Sequence, residues 1–142
     1  MIKILLVDDY PETLEALSQL YELHSNVKIG GCALNGAELF KILEKDNTFD
    51  IISIDIQLGK ENGLQLCEAI HQKYPNSFIL MCSLEASEAN QKEAIRAGAS
   101  YFLAKPISST SIRKVIEVYK ATRMKRAFPE QFDHWVDDLL IK

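Results

Sequence analysis

Short apolar runs and helix-spaced apolar stripes alternate along most of the chain, and turn-forming residues close each run. Runs of this length rich in β-branched residues predict strands, whereas stripes recurring every three to four residues predict amphipathic helices. The segment "IKILLV" at 2–7 is the first strand. Leu14, Leu17, Leu20 and Tyr21 then mark a helix over 12–24, with Pro11 in its first turn, where a missing N–H does no harm. "VKIGGCA" at 27–33 is a weaker second strand. Asn35 caps the next helix in a capping-box arrangement with Glu38, and Leu39, Phe40, Ile42 and Leu43 form its buried face.

In "FDIISIDIQLGKENG", residues 49–63, Ile51, Ile52, Ile54 and Ile56 make a nearly continuous apolar run, which suits a strand covered on both faces. Gly59 and Asn62-Gly63 end that run in a loop, and the helix after it carries Leu64, Leu66, Cys67 and Ile70 before Tyr74-Pro75 stops it. "SFILMCS" at 77–83 is the fourth strand, 86–97 an Ala-rich helix closed by Gly98, and "SYFLA" at 100–104 the fifth strand. A fifth helix starts within 108–111 and buries Ile112, Val115, Ile116 and Tyr119. Strands alternating with helices predict an α/β protein with a doubly wound parallel sheet, because right-handed crossovers cover both faces.

Composition narrows the function. The 142 residues suffice for one domain with its own core, and 47% hydrophobic with 25% charged residues is ordinary for a soluble globular protein. A formal charge of −4 argues against nucleic-acid binding, which needs a basic face. No segment approaches the ~20 apolar residues of a membrane span, and the N-terminus lacks a signal-peptide layout, so the expected compartment is cytoplasmic. Cys32, Cys67 and Cys82 are odd in number and widely spaced; they read as small buried hydrophobes rather than a disulfide or zinc framework. His24, His71 and His134 are likewise scattered.

The chemistry gathers at strand ends. Asp8 and Asp9 follow the first strand, Asp55 ends the third, Ser83 the fourth, and Lys105-Pro106 follow the fifth. Open α/β sheets place ligands beyond the carboxyl ends of their strands. If the first and third strands are neighbours, three carboxylates converge there, and their repulsion calls for a cation. Mg²⁺ suits a few carboxylate oxygens, a carbonyl and waters. A lysine beside them holds a carboxylate or phosphoryl oxygen, and a serine hydroxyl adds a donor. The combination fits a carboxylate nucleophile attacking a phosphoryl group. Taken singly, the acids could cap a helix, the lysine could be a solvated loop residue and the serine a strand-end hydroxyl; their occurring together at four strand ends in this order favours the joint reading.

The arrangement "LLVDD", "IDIQLGKENG", "LMCS" and "GASYFLAKP" resembles the receiver domain of two-component response regulators, the CheY-like family, over about residues 1–122. The resemblance implies a flavodoxin-like, doubly wound five-stranded parallel sheet in the order 2-1-3-4-5 with five helices. It implies Asp55 as acceptor of a phosphoryl group from a sensor histidine kinase or phosphotransfer protein, with Mg²⁺ held by Asp8, Asp9, Asp55 and the backbone carbonyl of Gln57. Lys105, set by a cis bond to Pro106, would contact the phosphoryl group, and Ser83 and Phe102 would act as the switch pair. Such a domain is a signalling switch that catalyses only its own phosphotransfer and slow dephosphorylation, and it is not a turnover enzyme. The face of the fourth helix, fifth strand and fifth helix is the implied surface for a downstream partner.

Two departures stand out. Leu84 replaces the small residue usual after the serine and is expected to shield the acyl phosphate, and Gly59 replaces a common proline. Two other readings are weighed: a receiver-like binding scaffold that no longer takes phosphate, and an aspartate-nucleophile phosphatase, which needs Asp-x-Asp where this chain has Tyr10. The receiver domain is drawn at 1–126. Residues 127–142 form a short C-terminal helical extension or the start of a linker; Phe132, Trp135, Val136 and Leu139 lie on one stripe of it. That stripe packs on its own domain or, alternatively, docks a partner or a second copy, giving a homodimer.

Overall fold

A computed structural model describes residues 1–130. It divides into two units, the first Met1–Ile107 and the second from Ser108 onward. The first unit contains β1 (Ile2–Val7), α1 (Pro11–Glu22), β2 (Val27–Ala33), α2 (Gly36–Lys45) and β3 (Ile51–Asp55). It continues with β4 (Gln57–Leu58), β5 (Glu61–Asn62), α3 (Gly63–Lys73), β6 (Phe78–Ser83), α4 (Glu88–Arg96) and β7 (Tyr101–Ala104). α5 (Ser109–Ala127) belongs to the second unit. The expected extension at 127–142 lies, from residue 131, outside the described residues. No helix among the described residues is long and apolar enough to cross a membrane.

β2, β1, β3, β6 and β7 pair in that order, all parallel. With five helices among the described residues this is the flavodoxin-like arrangement, β6 and β7 being the fourth and fifth long strands. The short β4–β5 hairpin was not foreseen; it occupies the loop expected after β3. Burial follows position in the sheet. All five residues of central β3 are buried, as the isoleucine run demands, whereas edge strand β2 alternates. That alternation corrects the expectation for Cys32: it is exposed at the edge, and only Cys67 and Cys82 are buried. The β1–β2 register slips between Ile4 and Leu5, skipping Gly30. A side chain at Gly30 would meet the Lys3 stem at 2.6 Å and Phe49 at 2.9 Å.

One face of the sheet buries Leu5, Val7, Ile52, Ile54, Ile79 and Met81 with Leu39 and Leu43 of α2 and Leu66, Cys67 and Ile70 of α3. Ser53 and Cys82 alternate to the other side, their Oγ and Sγ 3.5 Å apart. Tyr21 of α1 is wholly buried, with Ser53 as the polar neighbour of its hydroxyl. Burial pushes its pKa, and those of Cys67 and Cys82, the last two to about 12, upward.

The helix ends show how local chemistry sets the loops. Asn35 accepts from the Glu38 amide at 2.9 Å as expected, but the Glu38 carboxylate takes the Leu34 amide at 2.8 Å instead of closing the box on Asn35. Gly98 ends α4 at φ +106°, a conformation natural to glycine. In α5 Ser108 and Ser111 cap reciprocally. Ile112, Val115 and Tyr119 are buried as expected; Ile116 is half-buried, and Val118 and Ala121 complete the stripe.

Candidate functional site

Register builds the site. Val7 pairs with Ile54, Asp55 with Cys82, and Ser83 with Ala104, so these strands finish level. The residues just beyond, Asp8, Asp9 and Lys105, therefore meet Asp55 and Ser83 at one edge. The Lys105 ammonium lies 2.9 Å from Asp8 Oδ2 and 2.7 Å from Asp55 Oδ2. Asp8 Oδ1 accepts from the Tyr10 amide at 3.0 Å and Asp55 Oδ1 from the Gln57 amide at 3.1 Å. These turns fix both carboxylates before any ligand arrives. The Lys105-Pro106 bond is cis, as the sequence reading expected.

The acids are also crowded. One oxygen each from Asp8, Asp9 and Asp55 lies within 4.8 Å of the others. Asp9 Oδ1 is buried and has no hydrogen-bond partner. A buried carboxylate oxygen without a donor is costly, and a hard cation among three such oxygens would satisfy it. The donor set thus fits Mg²⁺: oxygen only, clustered and negatively charged.

Asp55 and Lys105 form one ion pair, yet both pKa values are raised. For Asp55, burial outweighs the hydrogen bond and charge of Lys105, and Asp8 adds repulsion. For Lys105, burial opposes the charged form, but its bonds to Asp55 and Asp8 more than offset it. The lysine remains protonated, facing more negative charge than it can neutralise.

Ser83 is buried, and its Oγ accepts from the Glu85 amide at 3.0 Å, which leaves the hydroxyl proton available. Phe102 is half-buried and packs on the core cluster. Leu84 is 71% exposed and lines a cleft of about 1110 Å³ together with Asp9, Asp55, Gln57 and Lys105. Two residues of the site carry no functional signal of their own in the sequence. Gly63 lies against β3 so closely that a side chain there would run into the Asp55 carbonyl and the Ile56 backbone, and its amide donates to Ile56 O at 2.8 Å. Glu61, also lining the cleft, accepts from the Gly36 amide of α2. Asn62-Gly63 was legible only as a loop signal, and Glu61 carried none.

The pattern of the response regulator receiver domain matches residues 4–117. The chain belongs to the response regulator receiver family. Among curated relatives, the receiver is 27% identical over 140 residues to the transcriptional regulatory protein CitT of Bacillus subtilis, covering 98% of this chain and 62% of that protein. It is 32% identical over 117 residues to the transcriptional regulatory protein ComA of the same organism, covering 82% of this chain and 55% of ComA. The chain therefore spans less than two thirds of either relative. Among solved structures, the CheX-CheY-BeF3-Mg complex of Borrelia burgdorferi superposes with a TM-score of 0.76 at 25% identity, over 83% of this chain and 89% of that one.

Proposed function

We propose that this receiver is a phosphorylation-controlled switch whose phosphoacceptor is Asp55. One observation carries the reading: the Asp55 carboxylate is fixed at the cleft by Lys105 and the Gln57 amide, beside two further acids and an orphaned Asp9 oxygen. The donor is a phosphohistidine on a sensor histidine kinase or phosphotransfer protein. An Asp55 oxygen attacks phosphorus; the new P–O bond forms as the P–N bond breaks, and the imidazole leaves with the electron pair. Lys105, kept protonated by its two acids, neutralises charge on the transferring group. Ser83 turns its free proton toward a phosphoryl oxygen, and Phe102 follows the space this opens.

Asp8, Asp9, Asp55 and the Gln57 carbonyl would hold Mg²⁺, which when bound supplies charge neutralisation to the phosphoryl oxygens. The similar Borrelia complex contains magnesium, which supports the choice of metal. Because the chain spans only 62% of CitT and 55% of ComA, the output is assigned to a separate partner or an attached domain. The setting is cytoplasmic.

Intact mass after incubation with Mg²⁺ and a small acyl-phosphate donor tests this, beside Asp55→Asn and a metal-free sample. A gain of one phosphoryl group that needs both Asp55 and metal is expected. Labelling of the Asp55→Asn variant to the wild-type extent would refute the assignment.

A further inference from the structure

The loop after β3 bends into a two-residue hairpin, Gln57 pairing with Asn62 and Leu58 with Glu61. Such a short ladder cannot hold itself in water. Three anchors fix it. Leu58 is buried in the core, and Gly63 is pressed onto the Asp55 backbone. The third anchor is a side chain: both Glu61 oxygens face the Gly36 amide, at 3.1 and 3.3 Å.

Gly36 is the first residue of α2, so its amide has no partner within the helix, and the carboxylate sits at the positive end of the helix dipole. Asn35 and Glu38 serve other amides at that end, which leaves Gly36 to Glu61 across 25 positions of sequence. A Cβ on Gly36 would stand 2.8 Å from Glu61 Oε2, so the flexible carboxylate end of Glu61 would have to swing off the amide. At its other end the hairpin turns through Gly59 at φ +60°, where a Cβ would be in ordinary van der Waals contact with Asp9 Oδ2, at 3.5 Å, which places the turn beside that acid. The hairpin thus spans from the N-terminus of α2 to the acid cluster.

We infer that Glu61 is a positioning residue: by holding the Gly36 amide it clamps the β4–β5 hairpin against Asp9 and so sets the affinity of the acid cluster for a divalent cation. The inference rests on the metal-binding part of the proposed function. Glu61 acts here through geometry. Its charge could also raise local cation concentration, and the two roles separate experimentally, because glutamine keeps an acceptor oxygen but loses the charge.

The experiment compares the wild-type chain with Glu61→Gln, Glu61→Ala and Gly36→Ala, using amide hydrogen exchange without metal and calorimetric titration with Mg²⁺. Exchange at residue 36 and across 57–62 is expected to accelerate in Glu61→Ala and Gly36→Ala, with the Mg²⁺ dissociation constant rising about two- to fivefold. Glu61→Gln keeps an acceptor oxygen but loses the attraction to the helix dipole, so it should fall between wild type and Glu61→Ala in both measurements. Gly36→Ala removes no acid, so its agreement with Glu61→Ala would support the clamp over the charge. Equal weakening by Gln and Ala that fades with added salt would overturn it, as would unchanged exchange in Glu61→Ala. A wild-type chain that binds no Mg²⁺ would overturn both the link to affinity and the metal site itself, and metal-free exchange would then decide separately whether the hairpin is clamped.

Discussion

Replacing Asp55 by Asn removes one charge from a crowded group at almost constant volume. The acid oxygens lie within 4.8 Å of one another, so each like-charged pair costs about 3.5 kcal/mol at an effective dielectric constant of about 20. Asp55 takes part in two such pairs, about 7 kcal/mol together, while its attraction to Lys105 at 2.7 Å offsets about 6 kcal/mol. The Coulomb terms nearly cancel, and burial decides the sign. Asp55 is only 8% exposed, and burial is the largest influence on its raised pKa. Asp55→Asn should therefore stabilise the metal-free protein by about 1 kcal/mol, roughly 4 °C in Tm for a domain of this size.

Calorimetric unfolding in EDTA and in saturating Mg²⁺ measures it. In EDTA the variant should melt higher; with metal the wild type should gain more, because binding to the folded state adds stability by mass action. The pH dependence carries the same signature. Folded Asp55 holds its proton more tightly than the unfolded chain does, so the wild type gains stability as pH falls from the raised folded pKa toward the ordinary 3.8. The variant lacks that gain. An Asp55→Asn protein that melts below wild type in EDTA would refute the reasoning, since pairing with Lys105 would then outweigh burial and repulsion.

Gly63→Ala should cost about 2–3 kcal/mol, read from the denaturation midpoint, because the new methyl meets the Asp55 carbonyl with no flexible atom to yield. Lys105→Met leaves two buried acids facing each other and should cost about 3 kcal/mol at neutral pH. In the wild type the Lys105 contribution is complete below 10.5 and is lost as pH rises through its raised folded pKa, a limb the variant should lack in alkaline unfolding. Leu84→Ala should speed loss of the phosphoryl group, followed by mass; an unchanged rate would show that this exposed side chain does not screen the cleft.

The long strands were legible because each is a local pattern: β1 and β2 have the expected bounds, and the isoleucine run of β3 is buried throughout. Asp8, Asp9, Asp55 and Lys105 were legible for a related reason, since parallel strands in register bring their carboxyl ends level whatever the details between them. What escaped depends on contacts made only in three dimensions. Cys32 has an apolar neighbourhood in sequence, yet it sits exposed on an edge strand, its sulfur beside the Ser18 hydroxyl of α1. Glu38 has the spacing of a capping box but finds Leu34 instead, and Glu61 meets an amide that no local pattern relates to it.

The serine links the acid cluster to the rest of the fold. Its hydroxyl oxygen accepts from the Glu85 amide and keeps its proton free, so if a phosphoryl group on Asp55 draws the hydroxyl toward itself, the Glu85 amide and the loop after the serine are drawn with it. That loop is tied to the first turn of α4: Asn90 Nδ2 donates to Glu85 O at 3.0 Å, Gln91 Nε2 to Ala86 O at 3.0 Å, and Ser87 caps the Asn90 amide. A phosphoryl group adds up to about two negative charges beside a lysine already shared between two acids, so the pull on Ser83 is electrostatic and strong. Three hydrogen bonds of 3.0–3.1 Å would then carry the adjustment from Ser83 into α4, which makes the start of that helix the first element expected to move if Asp55 is phosphorylated as proposed.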